Sequence, residues 1–148
     1  MQKNYLPIAL NIAGEKILII GGGQSAWKKI KILKRFDAQM EVVALEVCDE
    51  IRNSGIPFRI KAYESSDLKE FLMFYSCTNS PDLDAQIARD GREAGVLINV
   101  HDQPDLCQFV SPAIYEKDNV RVAVSSNATD VYASIRVRDE IKKYLDTK

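Results

Sequence analysis

Three short runs in this chain carry residue types and spacings that could do chemistry. The first is Gly21-Gly22-Gly23-Gln24-Ser25-Ala26, which fits the pattern G-x-G-x-x-A. The apolar run KILII stands directly before it and a segment of helical periodicity directly after it, and that setting gives the pattern its meaning. In such a turn Gly21 makes the tight bend, Gly23 lets a pyrophosphate approach the backbone, and Ala26 permits close packing of helix on strand. The backbone amides at the helix start, around Gly22, Gln24 and Ser25, have no intrahelical acceptor and attract an anion. The implied chemistry is dinucleotide binding.

The second run ends the next strand. Glu46 stands about 20 residues beyond the fingerprint, where an acidic group accepts hydrogen bonds from ribose hydroxyls, although a solvated loop carboxylate reads the same way. No Arg follows closely to favour a 2′-phosphate, so NAD is preferred to NADP. The third run is split between two strand ends. Thr78 and Asn79 follow a fourth strand, where they could touch the nicotinamide half of a dinucleotide or simply form a turn. His101 and Asp102 follow a fifth, where open α/β sheets place their ligands. As neighbours on an extended segment His101 and Asp102 are expected to point to opposite faces, which makes His101 peripheral. Lys28, Lys29, Lys31, Lys34 and Arg35 read as a solvated helix face, with Lys28 or Lys29 able to help hold an anion.

The elements that must position these residues are legible from periodicity. Lys16 to Ile20 reads as a strand buried on both faces, Gln24 to Phe36 as an amphipathic helix, and Met40 to Leu45, Phe58 to Ala62 and Phe71 to Cys77 as further strands. Ser80 can cap a helix that Pro81 opens and Gly95 closes, and Val96 to Val100 supplies a fifth strand. Strands alternating with helices predict an α/β fold, a Rossmann-like and mostly parallel sheet with helices on both faces. Beyond Asp102 the pattern changes. Phe109 to Tyr115 and Val120 to Ser125 read as a hairpin, and Asp130 to Leu145 as a last helix, a C-terminal β-hairpin and helix too small to cover its own apolar face. The expected division is a dinucleotide-binding domain over residues 1–108 and a dimerisation element over 109–148, making a homodimer.

Composition limits the alternatives. With 20 basic and 21 acidic residues the chain has no overall field for phosphate backbones, so nucleic acid is not expected as a partner. Cys48, Cys77 and Cys107 are odd in number and widely spaced, and one His cannot complete a usual zinc set with them, so reduced structural thiols and no metal site are expected. The N-terminus does not have the form of a secretion signal and no stretch is long and apolar enough to span a membrane. A cytoplasmic location is the expectation.

Two longer segments carry a resemblance. LNIAGEKILIIGGGQSAWKKIKIL looks like the opening of the siroheme-synthase N-terminal domain family, and CTNSPDLDAQIARDGREAGVLINVHDQPDLCQFVSPAIY resembles that family's Thr-containing strand end, its Asn-Val-x-Asp segment and its Leu-Cys-x-Phe-x-x-Pro-Ala-Ile run. The similarity runs through almost the whole chain in order. It implies NAD-dependent dehydrogenation of precorrin-2 to sirohydrochlorin in siroheme biosynthesis, with the tetrapyrrole as substrate. Some relatives also insert iron. It also implies that Asp102 is catalytic, acting on the tetrapyrrole as a base or proton carrier. The chain departs from the pattern at Ser125 to Val131, where the family usually has a Gly-Gly pair and a Ser-Pro, and the expectation is a tail without the further helical region that family members commonly carry beyond this helix. Those departures leave a second reading open, a non-catalytic dinucleotide-binding or sensing module.

Overall fold

In the computed structural model, which describes residues 2–148, five strands form one parallel sheet. They are β1 (Lys16–Ile20), β2 (Gln39–Ala44), β3 (Phe58–Ile60), β4 (Met73–Ser76) and β5 (Leu97–Val100), in the order β3-β2-β1-β4-β5. Helices α1 (Gln24–Lys34) and α2 (Asp49–Arg52) follow β1 and β2, and α3 (Pro81–Ala94) joins β4 to β5. Short 3-10 turns at Ser65–Leu68 and Pro104–Leu106 complete the connections.

The period of two along β1 divides the core. Ile17 and Ile19 face Ala26, Ile30 and Ile51 on the side of α1 and α2, whereas Leu18 and Ile20 face Ile87 and Ala88 on the side of α3. All four strand residues are buried, which is why this segment reads as a continuous apolar run and not as an alternation. Ser80 caps α3 through the Leu83 amide, and Gly95 ends it at φ 71°. Within α3 a Cβ on Gly91 would lie 2.5 Å from both Ile98 Cγ2 and Phe74 Cε1, so glycine lets the helix settle directly on β4 and β5.

Strand and helix ends differ from expectation by a residue or two, as ends do. α1 stops at Lys34 and β3 is confined to Phe58–Ile60. The larger correction concerns Phe109, expected to open the hairpin. Its ring packs edge-on against Tyr75 at 5.5 Å, and its carbonyl accepts a hydrogen bond from the Asn99 side chain at 3.0 Å. Those contacts fasten it to the parallel sheet, and the hairpin strand begins only at Ala113. Neither α2 nor the 3-10 turns had a periodicity long enough to read.

The chain forms two compact units. Leu10–Phe109 is the parallel sheet with its helices; residues 110–148 make the other unit, together with the N-terminal segment through Ala9. A cut at 108/109 would have kept that segment with the first unit. What ties it elsewhere is Asn127, whose Oδ1 accepts from the Tyr5 amide and whose Nδ2 donates to the Lys3 carbonyl, both at 2.7 Å. The second unit holds the antiparallel pair β6 (Ala113–Lys117) and β7 (Val120–Val124) and the helix α4 (Val131–Asp146), capped by Asp130 on the Ala133 amide. The loop before α4 has no glycine, yet Asn127 and Ala128 adopt left-handed backbone at φ 59° and 61°. Asn takes this conformation readily, whereas Ala costs roughly 1–2 kcal/mol there. Among the described residues, no helix is long and apolar enough to cross a membrane.

Candidate functional site

The chain leaves β1 for α1 on one face of the sheet and leaves β4 for α3 on the other, and a crevice opens outside the carboxyl ends of two strands that diverge in this way. The three glycines at the end of β1 serve different ends. Gly21 sits at φ 116°, and a Cβ on it would come within 2.2 Å of the Cys77 carbonyl oxygen at the end of β4. A Cβ on Gly22 would lie 2.0 Å from the Glu46 carbonyl oxygen. Gly22 fills a variable position of the fingerprint, so pattern reading does not reveal that packing demands it. A Cβ on Gly23 meets no protein atom within 4 Å. Gly23 is therefore free to be approached by something other than protein.

Helix α1 begins at Gln24 with Gly23 as its cap residue, so no side chain satisfies its first amides, and no acidic residue lies in its first turn. The Ser25 hydroxyl is buried with no hydrogen-bond partner among the described residues. An orphaned hydroxyl beside uncapped amides fits a phosphate bound at this turn. Ala26 is fully buried against β1 and β2, as close packing requires. Gln24 turns outward, and its side-chain amide donates to both carboxylate oxygens of Glu50 at 3.2 Å. The Glu50 carboxyl is held below its ordinary range by its own backbone amide and then by Gln24. Sequence reading missed Glu50 because α2 is a single turn. Glu46 lies exposed just past β2.

A second feature opens at the carboxyl ends of β4 and β5. It is a cavity of about 400 Å³ lined chiefly by Cys77, Asn79, Asp84, His101, Asp102 and Gln103. Asn79 and Asp102 both stand in left-handed backbone, at φ 60° and 57°. Thr78 is not free to reach a ligand with its hydroxyl, which donates to Asp84 Oδ1 at 2.7 Å. Asp84 was not singled out from the sequence, where it reads as an ordinary acid of a helix first turn. It is 3% exposed and accepts from the Ser76 hydroxyl at 2.6 Å and the Gln103 amide at 3.3 Å as well. Burial pushes the Cys77 thiol up to about 12, so it stays protonated and unreactive.

The expected separation of His101 from Asp102 does not hold. His101 pairs with β4, its amide donating to the Ser76 carbonyl at 2.9 Å, but the left-handed turn at Asp102 breaks the alternation that would send the two side chains apart. His101 Nε2 lies 3.3 Å from Asp102 Oδ2, and both line the cavity. The loop presenting them is closed by Cys107, whose thiol accepts from the Val100 amide at 3.1 Å and reaches the Gln103 carbonyl at 3.4 Å. The Leu106-Cys107-Gln108-Phe109 run thus acts as a clasp. Of the lysine-rich face, Lys29 lies over the Tyr75 ring and Lys34 over Trp27, each at 5.5 Å, while Lys28, Lys31 and Arg35 line a shallow outer depression of α1.

Residues 8–113 match the family model described as "Putative NAD(P)-binding". The siroheme synthase of Azotobacter vinelandii is 32% identical over 146 residues, which is 96% of this chain and 32% of that protein. That of Nitrosomonas europaea is 31% identical over 147 residues, 96% of this chain and 31% of the relative. The chain thus spans about a third of the length of these curated relatives. Among solved structures, SirC, a precorrin-2 dehydrogenase, superposes with a TM-score of 0.73 over 95% of this chain and 71% of its own, at 19% identity. That likeness is one of fold. With a family model matching over most of its length, the chain belongs to this NAD(P)-binding family.

Proposed function

We propose that the protein is an NAD-dependent dehydrogenase that oxidises precorrin-2 to sirohydrochlorin in siroheme biosynthesis. The observation that carries this reading is the position of the exposed Asp102 carboxylate, on a cavity at the same edge of one parallel sheet as the Gly21–Gly23 turn. The similarity to siroheme synthases through 96% of the chain supports the choice of substrate. Gly21, Gly22 and Gly23 give the backbone approach to the pyrophosphate, and the amides and hydroxyl of Gln24, Ser25 and Ala26 at the start of α1 hold it. Glu46 bonds a ribose, and Asn79 with the backbone of Thr78 borders the nicotinamide end. Glu46, an acid with no Arg close behind it, favours NAD over NADP. The dinucleotide, when bound, supplies the hydride acceptor. Asp102 takes the proton that leaves the tetrapyrrole as the hydride departs, and His101 steadies its carboxylate.

The test is anaerobic incubation with precorrin-2 and NAD, following sirohydrochlorin by absorbance. Conversion dependent on both components is expected. Tight NAD binding with no conversion would replace this reading with the sensing module.

A homodimer built from residues 110–148 and a cytoplasmic setting belong to the same proposal. Among the described residues of the second unit no apolar side chain is buried, and Val120, Val131, Tyr132 and Tyr144 are each more than half exposed. A hairpin and one helix cannot enclose a core, and symmetric pairing covers such a face. Light scattering is expected to give twice the chain mass, and a monomer across a wide concentration range would exclude the pairing. Three free cysteines suit a reducing compartment.

A further inference from the structure

Asp84 is a carboxylate that the fold buries without giving it a cation. Its three side-chain donors, the hydroxyls of Ser76 and Thr78 and the amide of Gln103, are all neutral. Among the described residues no Lys, Arg or His stands within ion-pair distance of it. A charge taken out of water and met only by dipoles costs stability that a cationic partner would offset. Asp84 lines the 400 Å³ cavity, with Asp102 on the same cavity. No Lys or Arg lines it, its one imidazole is paired with Asp102, and the nearby Lys29 charge that reaches Cys77 from over the Tyr75 ring is opposed there by both Asp84 and Asp102. The cavity therefore carries a negative potential toward whatever enters it, and a cation gains more there than a neutral group of the same shape.

We propose that Asp84 sets the redox preference of the site: its buried charge favours the cationic nicotinamide ring of oxidised NAD over the neutral ring of NADH. This rests on the reading above, in which the nicotinamide end lies at the carboxyl ends of β4 and β5. The two forms share pyrophosphate, riboses and adenine, so the ratio of their affinities isolates the ring. The preference suits an oxidation, because the form consumed is held more tightly than the form released. Removing one unit charge several ångströms from another, at the effective dielectric of a protein edge, corresponds to roughly tenfold in affinity.

The experiment measures dissociation constants of NAD and NADH by calorimetry for the wild type and for Asp84→Asn, Gln103→Lys and Asp82→Asn. Asp84→Asn removes the charge. Gln103→Lys neutralises it with a neighbouring ammonium and leaves Asp84 in place, so it decides the matter if Asp84→Asn fails to fold. Asp82 is an exposed acid of the same helix turn and controls for loss of charge alone. The wild type is expected to favour NAD, and Asp84→Asn and Gln103→Lys are each expected to shift the ratio about tenfold toward NADH, with Asp82→Asn unchanged. A ratio unmoved in Asp84→Asn and Gln103→Lys while both forms still bind overturns the role of Asp84 alone, as does an equal shift in Asp82→Asn. A wild type that binds neither form overturns the dinucleotide reading and this inference together.

Discussion

Asp102→Asn is expected to lower the rate of precorrin-2 oxidation by roughly 100-fold or more, the usual cost of losing a positioned acid–base group, with NAD affinity within a few fold of wild type. Asn is the informative substitution. Asp102 stands at φ 57°, which Asn tolerates, whereas Ala would add backbone strain of roughly 1–2 kcal/mol and blur a loss of chemistry with a loss of loop geometry. The pyrophosphate contacts are spared because the fingerprint lies at the end of β1 and Asp102 follows β5, and at the nicotinamide end the charge removed is 87% exposed and largely screened by solvent. His101→Ala gives the comparison. Its imidazole lies 3.3 Å from a carboxylate that is 87% exposed, and a solvent-facing pair of that kind contributes at most about 1 kcal/mol, or roughly fivefold. Steady-state rates of the two variants at saturating NAD decide the matter. A severe His101→Ala with a mild Asp102→Asn would reverse the roles, and two unaffected variants would leave Asp102 without a part in the chemistry.

Substitutions along the glycine turn are expected to separate into folding and binding effects. Gly23→Val should fold with near wild-type melting, because a Cβ there meets no protein atom, and should weaken NAD by roughly 100-fold or more. That figure corresponds to displacing two hydrogen bonds to a charged phosphate, at roughly 1.5–3 kcal/mol each. Gly21→Ala and Gly22→Ala should act on stability first. Their new methyl groups would meet backbone carbonyls at 2.2 and 2.0 Å, atoms that a rigid sheet edge cannot move aside. Gly21 adds a positive φ of 116° that Ala resists. A destabilisation of about 3 kcal/mol would lower the melting temperature by roughly 10 °C in a chain of this size. Thermal denaturation beside calorimetric NAD titration reads both effects. Full NAD affinity in folded Gly23→Val would remove the pyrophosphate from this turn.

Local rules determined much of this protein by themselves. The run from Ile17 to Ile20 had to be a doubly buried strand, and Ser80-Pro81 and Gly95 marked both ends of α3, because burial, capping and left-handed termination depend on residues close in sequence. The glycine pattern likewise marked a tight turn between a strand and a helix, which is where the structure has it. The tertiary structure alone decided what depends on distant neighbours or on one dihedral angle. Gly22 is required by the carbonyl of Glu46, 24 positions away, and the Asn127 side chain gathers the N-terminal segment from more than 120 residues off. A single left-handed residue at Asp102 turns its carboxylate onto His101, where the period of an extended strand sends it away. Asp84 reads from sequence as a helix-start acid; only the meeting of β4, α3 and the turn after β5 makes it a buried charge with neutral partners. Periodicity reports which face a residue takes, and close packing between segments decides what it meets there.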